Sequence, residues 1–149
     1  MLKNIHPHVT PQLMNCLMEM GHGDELVIAD ANFPSTSTAD YCKIKEPIRL
    51  PGFSAPAAVD LITNLMPLDG FSDYAALRMQ VDGAPEQLDD VHEEVFEILR
   101  ANKPEEAQLG SIERQSFYEQ AKSAYGVIAT SEARPFGCFI LKMGVVFDN

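Results

Sequence analysis

Glu25-Leu26-Val27-Ile28-Ala29-Asp30 is the stretch on which the fold turns. It is short and apolar, with Gly23-Asp24 before it and Asn32 and Pro34 after it, the profile of a buried strand with Asp30 at its end. On its N-terminal side, Leu13, Met14, Leu17, Met18 and Met20 recur at helical spacing. Thr10 is placed to cap that helix, Pro11 to occupy its first position and Gly21 to lie just past its end.

On the C-terminal side, residues 32–53 turn to Ser, Thr, Pro and Gly and read as a long ordered loop, with only 41–45 and 48–50 able to extend briefly as strands. Ser54 caps a helix through Ala57, Val59, Leu61, Ile62 and Leu65, and Pro67 closes it, which leaves Leu68-Asp69-Gly70 as a turn. Residues 75–81 read as a strand. Residues 85–102 form a helix with Leu88, Val91, Val95, Ile98 and Leu99 on its apolar face, and 102–110 form a linker. Ser116-Phe117-Tyr118-Glu119 has the form of a capping box, opening a helix to about Ala124 with Tyr118 in its first turn and Arg114 at the end of a strand. Residues 125–130 and 139–146, rich in Val, Ile and Phe, read as two closing strands. Helices alternate with strands, so the expectation is an α/β fold: one compact three-layer domain over residues 1–149, a mixed β-sheet flanked by helices.

Composition bounds the function. The 149 residues are 46% apolar, enough for one ordinary core. A net charge of −11 sets the surface against nucleic acid and anionic lipid. No apolar run reaches the roughly 18 to 20 residues of a membrane span, and Met1-Leu2-Lys3-Asn4-Ile5-His6-Pro7-His8 lacks the apolar centre of a signal peptide. Cys16, Cys42 and Cys138 are odd in number and have no CxxC spacing. The expectation is a cytoplasmic protein with reduced thiols and no membrane or nucleic-acid partner.

Gly21-His22-Gly23-Asp24 invites a dinucleotide reading, but that fingerprint stands after a strand and before a helix, and here the order is reversed. Flanking glycines instead permit positive φ and hold His22 outward at a helix-to-strand corner, with Asp24 and Asp30 as nearby hydrogen-bond partners. The plainer reading is that the glycines only end a helix. His6-x-His8 and His22-x-Asp24 are short pairs of metal-ligand types with no third and fourth ligand at a recognised spacing, so no metal and no cofactor is expected. Asp30 and Asp69 are a conceivable carboxylate pair for glycoside hydrolysis, or simply caps of a strand end and a turn. Arg114, Tyr118 and Lys122 share a face only if their helix begins early.

The run from Met20 to Pro34 resembles the signature of the sugar mutarotase family that contains L-fucose mutarotase and D-ribose pyranase. The resemblance continues through Met66-Pro67-Leu68-Asp69, Ile112-Glu113-Arg114, Phe117 to Lys122 and the Leu141-Lys142-x-Gly144-Val145 ending, and is weakest in the central loop and at residues 82–110. It is closer to the fucose branch, because Gly-Asp follows His22, the strand runs into Asp-Ala-Asn-Phe-Pro and Arg stands at 114. The resemblance implies an isomerase that interconverts α and β anomers of a fucose-like aldose by ring opening and closure, without cofactor or metal. It implies His22 as a proton-transfer residue with Tyr118 as its partner, and Asp30, Asp69 and Arg114 as sugar-binding positions. An imidazole, ordinarily titrating near 6.5, and a phenol, near 10, suit the removal of one proton and the gift of another. It also implies a ring-shaped homo-oligomer, a decamer, with sites near subunit contacts.

One departure stands out. Fucose mutarotases carry Tyr-Gly-Asn before the last strand, and this chain has Phe136-Gly137-Cys138, so a phenol hydroxyl and an amide are missing from two substrate-binding positions. Phe136 can still pack on the apolar face of a sugar, while Cys138 is smaller and a weak donor. The competing expectations are a ribose-type pyranase, a non-catalytic monosaccharide-binding or transport-accessory protein, and a small glycosidase using Asp30 and Asp69.

Overall fold

The structure is a computed structural model that describes residues 1–148. Its central strand is β1 (Glu25–Ala29), and Leu26, Val27, Ile28 and Ala29 are all fully buried. Alternate side chains of a strand face opposite sides, so a run buried at every position demands cover on both faces. Leu26 and Ile28 meet α1 (Pro11–Glu19), α3 (Ala55–Thr63) and α4 (Asp90–Asn102). Val27 and Ala29 face the layer of α2 (Ser35–Ala39) and α5 (Arg114–Ala121), through Ala39, Phe117 and Ala121. The α/β expectation holds, with three layers around a mixed sheet.

The sheet order is β2-β5-β1-β6-β3-β4, with β2 (Ile48–Leu50), β3 (Ala76–Met79), β4 (Leu109–Ile112), β5 (Gly126–Thr130) and β6 (Phe139–Lys142). β1 runs parallel to β5, and β6 runs antiparallel to both β1 and β3. In the β1–β6 register Glu25 faces Lys142 and Ile28 faces Phe139. One end of the sheet therefore gathers the residues before β1 and after β6, and the opposite end gathers Asp30 and Cys138. No helix among the described residues is long and apolar enough to cross a membrane.

Several local expectations are corrected. The segment read as loop contains α2, a helix of Ser, Thr and Ala whose N-cap Pro34 makes no side-chain bond; burial of Ser35, Thr38 and Ala39, not propensity, holds it. Residues 41–45 form turns rather than a strand. The helix expected from Pro85 starts at Asp90, because 84–87 close a turn of their own, and Leu88 lies outside it, exposed. The supposed linker ends in β4, an edge strand paired only with β3. Leu-Gly-Ser-Ile carries too few apolar positions to announce itself as a strand.

The last helix is not capped by Ser116. The Glu113 carboxylate accepts the Gln115 and Ser116 N–H groups at 2.8 and 2.9 Å, so α5 starts at Arg114, and Tyr118 falls in the second turn, one turn from Arg114 on the same face. The closing strand stops at Lys142, not Val146: Met143 bridges to Leu68 and the Gly144 N–H turns to the Pro67 carbonyl.

Candidate functional site

The Gly-His-Gly-Asp corner folds as a closed turn. The Gly21 N–H donates to Asp24 Oδ2 at 2.8 Å, the Asp24 N–H to the Gly21 carbonyl at 3.0 Å, and Gly23 (φ 89°) donates its N–H to the Met143 carbonyl. Positive φ at Gly23 is the conformation the sequence anticipates there, and it turns His22 outward with 47% of its side chain exposed.

The partner of His22 is neither Asp24 nor Asp30, as expected, but Asp69. His22 Nε2 lies 2.9 Å from Asp69 Oδ1, and Asp69 is 1% exposed. Burial by itself would raise the Asp69 pKa. The Ser72 hydroxyl, the His22 ring and the Phe71 N–H outweigh it, and the carboxyl is held down at about 2. Asp69 is therefore an acceptor only, and the ring nitrogen facing it, Nε2, carries a proton. His22 also packs edge-on against Phe71, whose ring in turn meets Phe147; both phenylalanines are exposed, at 68% and 69%.

At the other end of the sheet, a cavity of about 120 Å³ is lined by Asp30, Phe33, Arg114, Tyr118, Phe136 and Cys138 among others. These residues come from the end of β1, the first two turns of α5 and the segment before β6. Asp30 is nearly buried; Oδ1 takes the Asn32 and Phe33 N–H groups at 3.0 and 2.9 Å, which curls the chain so that the Phe33 ring lies 5.6 Å from that of Tyr118. Burial raises its pKa, against the pull of hydrogen bonds from Cys138, Asn32, Phe33 and Gly137. Arg114 donates Nε to both Asp82 oxygens at 3.0 and 2.9 Å and lies 5.6 Å over the Tyr118 ring. That ion pair is exposed and screened by solvent, so Arg114 can exchange Asp82 for another hydrogen-bond acceptor at little cost.

Phe136 takes a left-handed backbone (φ 58°) uncommon outside glycine. Its carbonyl accepts from Nε2 of the fully buried His92 at 2.9 Å, while His92 Nδ1 accepts the Asp89 N–H at 3.1 Å, which fixes the tautomer. Glu132, 3% exposed, binds the Ala55 N–H and the Arg134 side chain, and Arg134 reaches Glu94 with two further bonds. The segment that presents Phe136 is thus tied to α3 and α4. Cys138 accepts the Asp30 N–H through Sγ at 3.3 Å, and burial, then the Asp30 charge, push its thiol well above the ordinary range, so it is a neutral thiol. His6 and His8 stack on one another, and His6 Nδ1 takes the His8 N–H.

Five of the seven expected site residues meet in one cavity, and two, His22 and Asp69, meet elsewhere. Glu25 to Ala29 separates them, so about 15 Å lies between the groups at a rise of roughly 3.3 Å per residue. Asp30 and Asp69 are correspondingly too far apart for the roughly 5 to 9.5 Å of a glycosidase pair within one chain. Sequence reasoning missed Asp82, Ser72, Phe33, Phe71 and His92. The Asp82-Gly83 turn was a local signal, with Gly83 at φ 71°, but nothing local links Asp82 to Arg114.

The RbsD / FucU transport protein family is matched over residues 3–146. The L-fucose mutarotase of Haemophilus influenzae (strain 86-028NP) is 39% identical over 147 residues, covering 97% of both chains. The fucose mutarotase of Danio rerio is 37% identical over 150 residues, 97% of this chain and 94% of its own. The fucose mutarotase of Streptococcus pneumoniae, solved in complex with L-fucose, superimposes with a TM-score of 0.86 at 36% identity, over 98% of this chain and all of that one.

Proposed function

The chain belongs to the RbsD / FucU family, and on that premise we propose that it is an isomerase interconverting the α and β anomers of L-fucose or a close analogue. The observation that carries the reading is an exposed imidazole with one ring nitrogen committed to a buried, ionised carboxylate, in a chain so similar to L-fucose mutarotases.

Mutarotation needs only proton traffic. A base removes the proton of the O1 hydroxyl while an acid protonates the ring O5; the C1–O5 bond breaks and the C1 aldehyde forms. Rotation about C1–C2 and closure on the other carbonyl face reverse both transfers. His22 and Tyr118 divide these roles. Asp30, Asp69 and Arg114 hold sugar hydroxyls or the groups that meet them, and Phe136 packs on the apolar side of the ring, with Cys138 beneath it. Such positioning turns slow solution chemistry into an oriented transfer. The chemistry calls for no cofactor or metal.

The site is shared between copies of the chain in this reading. The His22 end carries exposed Phe71, Val146 and Phe147, and the Tyr118 cavity lies at the far end of β1, so a neighbour's cavity set against that aromatic patch completes the machinery. A ring-shaped homo-oligomer, a decamer, is the assembly we propose, in the cytoplasm, where the three buried free thiols stay reduced.

The test is saturation-transfer NMR of anomer exchange on a panel of L-fucose, D-ribose, D-galactose and L-rhamnose. Accelerated exchange of fucose is expected. Acceleration of ribose alone replaces the reading with a pyranase, and binding without acceleration replaces it with a sugar-binding protein.

A further inference from the structure

Lys142 reaches Asp69 from two directions. Its backbone carbonyl accepts the Asp69 N–H at 3.0 Å, and its Nζ donates to Ser72 Oγ at 3.2 Å, where Ser72 in turn lies 2.5 Å from Asp69 Oδ2. The Lys142 side chain is largely covered, 14% exposed, and its ammonium is held in place from the other side. It sits 3.6 Å from the Glu25 carboxylate and 3.7 Å over the Tyr74 ring, while Tyr74 and Gln120 both donate to Glu25. This arrangement is larger than a cross-strand ion pair requires.

The protons can be counted along it. Lys142 has protons to give and no lone pair, so its bond to Ser72 takes a hydroxyl lone pair and leaves the single hydroxyl proton to be donated. Two acceptors compete for that proton, Asp69 Oδ2 at 2.5 Å and the Tyr74 carbonyl at 3.2 Å. Lys142 polarises the hydroxyl and favours the charged acceptor. Asp69 Oδ2 also takes the Ser72 N–H, and Oδ1 takes the Phe71 N–H beside His22. The carboxylate is thereby locked in one rotamer with Oδ1 aimed at Nε2 of His22. A neutral His22 is then the Nε2–H tautomer, its free lone pair on Nδ1, an atom with no partner among the described residues.

We propose that Lys142, acting through Ser72 and Asp69, is a positioning residue that fixes the tautomer of His22 and so makes Nδ1 the nitrogen that exchanges protons with the sugar. The inference rests on the reading of His22 as the proton-transfer residue, and the experiment separates the two. Histidine-15N-labelled, assembled protein is examined by NMR at a pH where His22 is neutral, without sugar, with the His22→Ala spectrum assigning its signals among the four histidines. The wild type is expected to carry its proton on Nε2. In Lys142→Met and in Ser72→Ala the Nδ1–H form is expected to gain population, and anomer exchange at saturating fucose to fall about 10-fold with KM little changed, as losses of outer-shell partners commonly do. Lys142→Arg, which keeps the charge and the donors, is expected to restore both. An Nδ1–H wild type overturns the proposal, as does an unchanged tautomer in Ser72→Ala, the smaller of the two changes and the one least able to disturb folding. A wild type with the expected tautomer and no exchange of any sugar overturns the function and leaves the positioning intact.

Discussion

His22 gives Nε2 to Asp69 and keeps the rest of its ring at the surface, which is how a histidine is placed when it must move protons and not merely fill a corner. Replacing it by Ala, or Tyr118 by Phe, is expected to lower fucose anomer exchange about 10²-fold or more, the usual scale for a lost general acid or base, read by the same saturation transfer. Exchange at the unmutated rate in either variant removes that residue from the mechanism. Asp69 carries a pH signature. Its pKa falls from 3.8 in the unfolded chain to about 2, so its ionised form stabilises the fold fully above about pH 4, and that contribution is lost as pH falls through 2. The stability advantage of wild type over Asp69→Asn, from urea midpoints, is therefore expected to shrink as pH falls below about 4. An advantage that does not shrink refutes the ionised assignment. The His22 corner was legible in sequence because its glycines and turn are local. Its partner was not, because 47 residues separate His22 from Asp69 and only the packed sheet brings them together.

Between residues and fold stand the elements, where sequence signals divide sharply. β1 was plain because a short, solid apolar run between breakers fits little except a buried strand, and α1 because Thr10, Pro11 and the apolar spacing agree. α2 and β4 were hidden because their residues have little preference of their own and take their structure from neighbours already in place. The start of α5 went wrong by one competing cap: Ser116 fits the pattern, but Glu113 stands first and reaches two N–H groups. That start matters for the candidate site, since only a helix that begins at Arg114 lays that guanidinium beside Tyr118. The β6 exit matters as much. A Cβ at Gly144 would meet the Leu68 carbonyl carbon at 2.7 Å and the Asp69 nitrogen at 2.9 Å, so glycine lets the chain lie against the segment that carries Asp69. Gly144→Ala is expected to cost about 1–3 kcal/mol in urea unfolding and to shift the Asp69–His22 pair, so that exchange falls as well. Full stability in that variant contradicts the close approach.

At the scale of the whole molecule, the β-strand that makes the fold recognisable also separates the His22–Asp69 pair from the Tyr118 cavity, which lie beyond opposite ends of a strand about 15 Å long. A net charge of −11 on each chain is no obstacle to a neutral sugar, and in the proposed assembly a second copy covers the exposed aromatic patch beside His22. A shared site has a consequence that a self-contained one lacks. His22→Ala and Tyr118→Phe are each expected to be nearly inactive, yet co-expressed or unfolded and refolded together they form mixed assemblies. In such an assembly, a site that takes its histidine from a Tyr118→Phe chain and its tyrosine from a His22→Ala chain has both groups intact. Random mixing in equal amounts makes about one site in four of this kind, so exchange is expected to recover to about a quarter of the wild-type rate. If both residues of a site came from one chain, every site would lack one group and mixing would restore nothing. Phe71→Glu is expected to lower the assembly's mass in sedimentation and the exchange rate together, because a charge at the patch keeps the neighbour's cavity from closing over His22.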